Sequence, residues 1–340
     1  MKGQIKILVV DDSLFMQKIL VDLLQSDPQI SIIGTARDGE EALSKIATLH
    51  PDVVTLDIQM PRMNGLTAIR KIMETNPLPV VMISALTQKE AQLTLKALEL
   101  GAVDYVPKPS GPISLNMSIV KNELLSKVKT AASANIRRGK PRMMEATATS
   151  KAKTSDRIIS IAASTGGPAA VAYILRHIPE NTPPILVVQH MPKGMTKLFA
   201  EGLNQECILK VKEAEEGDVV QEDLALIAPG GFHMLVTKSG KINLTTSPPV
   251  NYVRPSADVM MKSAAKTYAS KNIGVILTGM GADGAKGIEA IKKKGGVTIA
   301  QDKKTCVVFG MPDAAIKTGC VDFVTPLECI PKEIMNACED

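Results

Sequence analysis

The chain has 340 residues, which at about 150 per domain predicts two domains. Apolar residues make up 45% and charged residues 22%, with 24 Gly and 21 Pro, a globular profile that excludes disordered, collagen-like and disulfide-scaffold chains. The formal net charge of +5 would suggest nucleic acid if it covered a domain, but residues 1–120 carry 11 Lys/Arg against 13 Asp/Glu, 121–157 carry 10 against 3, and 158–340 carry 19 against 19, so the surplus sits in one short segment.

The N-terminal MKGQIKILVVDDS has an apolar run too short for a signal peptide, and no apolar stretch reaches the roughly 20 residues that span a bilayer. A cytoplasmic protein without membrane insertion is expected. Over residues 1–125 short β-branched runs alternate with amphipathic stretches: KILVV, SLFMQKILVDLLQ, ISIIGTA, GEEALSKIATL, DVVTLDI, PVVMIS and DYVPK. This pattern predicts five strands covered by helices, a doubly wound parallel sheet whose ligands gather beyond the C-terminal strand ends.

Five polar residues fall at that edge. Asp11 and Asp12 end the first strand, Asp57 the third and Ser84 the fourth, and Lys108 follows the fifth. Three adjacent carboxylates repel one another unless a hard cation joins them, and carboxylates with waters suit octahedral Mg²⁺. Lys108 and the Ser84 hydroxyl would contact a phosphoryl group placed on one acid, with Asp57 the central acceptor. Any single Asp here could instead cap the following helix. The motifs VVDDS, LDIQMPRMNG, ISA and VPKP resemble a response-regulator receiver. That resemblance implies a flavodoxin-like fold and phosphotransfer from a histidine kinase to Asp57.

Residues 126–156, including AASANIRRGKPRMMEATATSKAKTSDR, are rich in Ala, Ser, Thr, Lys and Arg and lose hydrophobic periodicity after about Val128. A flexible basic linker is expected there. Residues 157–340 again alternate strands (RIISIAAS, PPILVVQH, LALIAPG, NIGVILTG, GGVTIAQD) with helical stretches, which predicts a second doubly wound parallel sheet. The five Cys lie between Cys207 and Cys338, odd in number and without C-x-x-C spacing, as for free thiols in a reducing compartment. Nine aromatics and no Trp leave little material for base stacking.

Three strands of this domain end in Ser164, His190 and Asp283. Ser164 precedes Thr165-Gly166-Gly167-Pro168, a small-residue turn whose backbone N–H groups could hold an oxyanion. A serine needs a base, and an acid that orients that base. His190 and His233 both stand as candidates for the base by position, and Ser164 could be no more than a helix cap. The G-x-S-x-G elbow is absent, and an acid after the histidine disfavours the ordinary α/β-hydrolases. No His/Cys/Asp set has zinc spacing.

The segments ASTGGPAAV, VVQHMPKGMT, APGGFHM, PSADVMM, LTGMGADGAKG and AQDKKTCVVFGMPDAA, in this order behind a receiver, resemble the chemotaxis protein-glutamate methylesterase (CheB) family. The resemblance implies a Rossmann-like three-layer α/β/α catalytic domain. It implies the triad Ser164, His190 and Asp283, with Thr165 and Gly166 at the oxyanion site and Met280 shaping the pocket. It also implies hydrolysis of glutamate methyl esters on chemoreceptors (methyl-accepting chemotaxis proteins), deamidation of receptor glutamines, Mg²⁺ for the receiver alone and no cofactor for the ester chemistry. One departure is Ala162 where the family usually has Gly. A phosphorylation-gated transcriptional regulator is disfavoured by the neutral second half, and a catalytically dead receptor adaptor by the intact Ser, His and Asp.

Overall fold

The computed structural model describes residues 3–85, 87–108, 116–136 and 156–339. The chain forms two compact units, residues 1–140 and 141–340.

The first unit comprises β1 (Ile5–Val10), α1 (Leu14–Gln25), β2 (Ile30–Ala36), α2 (Gly39–Leu49), β3 (Val53–Asp57), α3 (Gly65–Thr75), β4 (Val80–Ser84), α4 (Gln88–Glu99), β5 (Asp104–Pro107) and α5 (Asn116–Ala132). Its sheet has the order β2-β1-β3-β4-β5, every pair parallel. Strands β3 and β4 are buried along their whole length, which explains their unbroken apolar runs. Side chains start the helices: the Ser13 hydroxyl accepts from Met16 N, Asp38 from Glu40 N and Glu41 N, Asn64 from Thr67 N, and Thr87 from Glu90 N. The expected strand-end acids are therefore not the caps of these helices. Helix α5 continues through Ala132, so residues 126–132 of the expected linker are helical. Contacts such as the buried Val128 and Ala131 sustain the helix where the sequence periodicity fades. Residues 137–155 of that linker lie outside the described residues.

The second unit comprises β6 (Ile158–Ala163), α6 (Gly167–His177), β7 (Ile185–Gln189), α7 (Met195–Glu206), β8 (Lys210–Glu213), β9 (Leu224–Ile227), β10 (His233–Val236), β11 (Ile242–Thr245), α8 (Ala257–Tyr268), β12 (Asn272–Ile276), α9 (Ala285–Lys293), β13 (Val297–Gln301), α10 (Met311–Lys317), β14 (Phe323–Thr325) and α11 (Ile330–Glu339). Seven strands form a parallel sheet of order β14-β13-β12-β6-β7-β9-β8, and β10 and β11 form an antiparallel pair. The five strands expected from sequence are β6, β7, β9, β12 and β13. The chain leaves β6 toward β7 on one side and returns as β12 on the other. The topological switch point, where doubly wound sheets open a crevice, thus lies between β6 and β12. The core here is aliphatic and methionine-rich, with Leu186, Val188, Met260, Met261, Ile276, Ile288 and Met311 all buried. Among the described residues no helix is long and apolar enough to cross a membrane.

Candidate active site

In the first unit, Asp11, Asp12 and Asp57 meet beyond the ends of β1 and β3, with one carboxylate oxygen of each within 4.8 Å of the others. Asp11 and Asp57 are buried and Asp12 is exposed. Lys108 Nζ lies 2.8 Å from Asp57 Oδ2 and 3.2 Å from Asp11 Oδ2. Burial pushes the Asp57 carboxyl up from 3.8 to about 6, the Lys108 ammonium pulls against that rise and the Asp11 charge adds to it. Three carboxylates facing one ammonium leave a surplus of negative charge on hard oxygen donors, and this acidic pocket fits Mg²⁺. Ser84 is fully buried, its hydroxyl 2.7 Å from that of Thr94 on α4, while its carbonyl accepts from Lys108 N at 2.8 Å. Asp11, Asp12, Asp57 and Lys108 are brought together at this edge, whereas Ser84 is tied to it through its carbonyl and its hydroxyl bonds Thr94 and Ala85 O.

The second site lies at the switch point of the larger sheet. Strands β6 and β7 pair in register as far as Ala163 and Gln189, so Ser164 and His190 leave adjacent strand ends, about 4.8 Å apart in the hydrogen-bonding direction. His190 N donates to Ala163 O at 3.1 Å, and Ser164 N donates to Thr278 O, just past β12, at 3.1 Å. The side chain of Gln189 is buried and donates to Ser164 O at 3.0 Å and His190 O at 3.3 Å, tying the two strand ends together.

His190 Nε2 lies 2.9 Å from Asp283 Oδ2, with the side chains 12% and 3% exposed. Burial alone would raise the Asp283 carboxyl. The His190 hydrogen bond and charge, with hydrogen bonds from Ser256 and Asn251, outweigh it and hold the group at about 2. An ionised Asp283 cannot donate, so the Nε2–H of His190 does, which leaves Nδ1 as the ring nitrogen outside this bond.

Further groups fix Asp283. Its Oδ1 accepts from Ser256 Oγ at 2.7 Å, Asn251 Nδ2 at 2.9 Å and Asp258 N at 3.3 Å, and its Oδ2 accepts from Ala257 N at 2.6 Å. The carboxylate thus sits on the N-terminus of α8, a site that favours negative charge. Sequence reasoning assigned no role to Gln189, Asn251, Ser256 or Asp258. Three of them lie inside the quoted VVQH and PSAD segments, where a polar residue amid an apolar run was the available signal.

The two histidines left open by position now separate. His233 is fully buried, its Nδ1 accepts from Ser256 N at 3.1 Å and its Nε2 donates to Pro248 O at 3.1 Å, so both ring nitrogens are taken up, one at the start of α8 and one on the chain after β11. His177 bonds Tyr173 O and stacks on the Tyr173 ring. Nor is Ser164 a helix cap, because that position belongs to Gly166, at φ 73° and without a side-chain hydrogen bond. Helix α9 starts on Gly284 in the same way, at φ 93°. Thr165 is buried, with its carbonyl accepting from Thr278 Oγ1 at 3.0 Å, and Met280 is 49% exposed on the loop that ends at Asp283. That loop is pinned from behind: Gly279 O accepts from Gly310 N at 3.0 Å and Met311 N at 2.9 Å.

The description "CheB methylesterase" belongs to the family that matches residues 159–334, and a response regulator receiver domain matches residues 7–120. A protein-glutamate methylesterase/protein-glutamine glutaminase of Pyrococcus horikoshii is 52% identical over 349 aligned residues, spanning 100% of this chain and 95% of its own length. A protein of the same name from Thermotoga maritima is 46% identical over 338, spanning 98% of each. The crystal structure of the Thermotoga maritima CheB methylesterase catalytic domain matches with 47% identity and a TM-score of 0.52, covering 54% of this chain and 98% of that domain. With a matched family across its second unit, a receiver across its first and full-length relatives at this identity, the chain belongs to the CheB methylesterase family.

Proposed function

We propose that the protein hydrolyses glutamate γ-methyl esters on chemoreceptors, releasing methanol, and deamidates receptor glutamines at the same centre. The single observation that carries this reading is the His190–Asp283 hydrogen bond of 2.9 Å beside the strand end that bears Ser164. Ser164 is the nucleophile, and His190 takes its proton as Oγ attacks the ester carbonyl. The oxyanion is held by N–H groups of the Thr165-Gly166 turn at the start of α6, a helix end that no side chain caps. His190 returns the proton to the departing methanol, and water, deprotonated by the same ring, hydrolyses the acyl-enzyme. For a glutamine the leaving group is ammonia and the later steps are unchanged. Met280 lines the mouth of the pocket.

The names of the full-length relatives support both activities. The receiver supports a switch: a chemotaxis histidine kinase supplies a phosphoryl group to Asp57, with Asp11, Asp12 and Asp57 holding Mg²⁺, and Lys108 and the Ser84 hydroxyl contacting the added oxygens. Bound Mg²⁺ supplies neutralisation of the developing phosphoryl charge. The domain division is 1–125, a linker from there to 156 whose first residues are helical, and 157–340, and the protein acts in the cytoplasm. The test is methanol release from methyl-labelled receptor membranes: release that requires Ser164 supports the reading, and receptor binding without release returns the adaptor alternative.

A further inference from the structure

Beside the catalytic edge, Val250 and Val253 exchange backbone hydrogen bonds of 3.2 and 3.0 Å around a two-residue turn. Both central residues have positive φ, Asn251 at 52° and Tyr252 at 65°. A two-residue turn of this hand favours Asn first and Gly second. Asn251 obeys that rule, whereas Tyr252 is a bulky residue in a conformation that costs L-residues about 1 kcal/mol or more. It gains no burial in return: Tyr252 is 102% exposed, the largest exposure among the large hydrophobic residues described.

The turn is nevertheless fixed to the chemistry. Asn251 Nδ2 donates to Asp283 Oδ1 at 2.9 Å and to Asp258 Oδ2 at 3.0 Å, so the residue next to Tyr252 grips the carboxylate that orients His190. Met280, 49% exposed, stands on the loop that ends at the same carboxylate. Two large side chains without formal charge are therefore displayed on two segments that converge on Asp283.

Resting on the esterase reading above, we propose that Tyr252 is a substrate-recognition residue. It packs against an apolar side chain of the receptor segment that presents the glutamate methyl ester, while Asn251 sets the turn's distance from the catalytic centre. An aromatic ring supplies large contact area with few rotamers to freeze, which suits a recognition anchor. The occupant is a receptor segment with an apolar residue near its modified glutamate, and the contact contributes to substrate binding rather than to the chemical step.

The test compares Tyr252→Gly and Tyr252→Phe with the wild type, using full-length protein and methyl-labelled receptor membranes at varied concentration, with thermal melts beside them. Tyr252→Gly places the favoured residue in the turn, so its melting temperature is expected to hold or rise. Its KM is expected to rise about tenfold at unchanged kcat, as for loss of an aromatic anchor, while Tyr252→Phe stays near the wild type. An unchanged KM in Tyr252→Gly overturns the proposal, as does a fall in kcat at constant KM, which would mean that the turn acts on the triad. Absence of methanol release by the wild type brings down the esterase reading itself, and this proposal with it.

Discussion

Asp283 and Asp258 cap each other's helices. Asp283, which immediately precedes the Gly284 start of α9, accepts from Ala257 N and Asp258 N at the start of α8. Asp258, in the first turn of α8, accepts from Gly284 N at 3.0 Å and Gly287 N at 2.8 Å at the start of α9. Both carboxylates are buried, at 3% and 1% exposure, and Asn251 bridges them. The carboxylate bonded to His190 is therefore not free to rotate: moving it would strip the hydrogen bonds that it accepts from Ala257 N and Asp258 N at the start of α8.

Asp258→Ala is expected to leave two N–H groups of α9 without their acceptor and to cost about 2–3 kcal/mol of stability, in the range for loss of hydrogen bonds to a buried charge. Esterase turnover should fall as well, because the loop bearing Asp283 loses its tether. Urea unfolding and methanol release on the same preparation check both. Full activity with lowered stability would show that Asp283 holds its position without Asp258.

Asp283→Asn is expected to reduce kcat by about 10³–10⁴, as for loss of the acid that fixes a catalytic imidazole. The native carboxyl sits at about 2 against 3.8 when unfolded, so it contributes stability above pH 3.8 that is lost as pH falls through 2. That difference corresponds to about 2 kcal/mol, so the variant should be less stable by roughly that amount at pH 7, with the gap closing toward pH 2. Chemical denaturation at pH 7 and at pH 3 measures this. A gap that widens in acid would contradict the assignment.

Asp57 behaves in the opposite sense. Its carboxyl is raised to about 6 in the folded protein, so the folded state binds the proton more tightly, and ionising Asp57 costs stability as pH rises from 3.8 through 6. Asp57→Asn is expected to raise stability by about 3 kcal/mol at pH 7 and to have little effect near pH 4. It should also remove stimulation by a small phosphodonor while leaving basal methanol release in place. Thermal melts at the two pH values, with activity assays at pH 7, check each part.

Most of the parallel scaffold was legible in the sequence, because a strand buried on both faces must be apolar throughout: LVV, VVTLD and VVMIS of the first unit and IISIAA, ILVVQ and NIGVI of the second read directly as strands. The edge strands of the second unit's sheet and its antiparallel pair were not legible. Lys210–Glu213 carries three charges in four residues, Phe323–Thr325 is half exposed, and the pair His233–Val236 and Ile242–Thr245 packs outside the parallel sheet. Ser164, His190 and Asp283 stood out because each follows a strand at one edge. The groups that hold them did not, since Asn251, Ser256 and Asp258 act through hydrogen bonds to Asp283 across 25 to 32 residues of chain, a separation that carries no periodic signal. The end of α5 was missed for a related reason, as burial of Val128 and Ala131 against the sheet, and not local pattern, carries it past residue 126.

The most direct test of the central claim is methanol release from methyl-labelled receptor membranes by the wild type and by Ser164→Ala, each with and without phosphodonor and Mg²⁺. The account predicts release by the wild type that rises with phosphodonor, and none from Ser164→Ala under either condition, with both proteins folding alike. Release that persists in Ser164→Ala would contradict it.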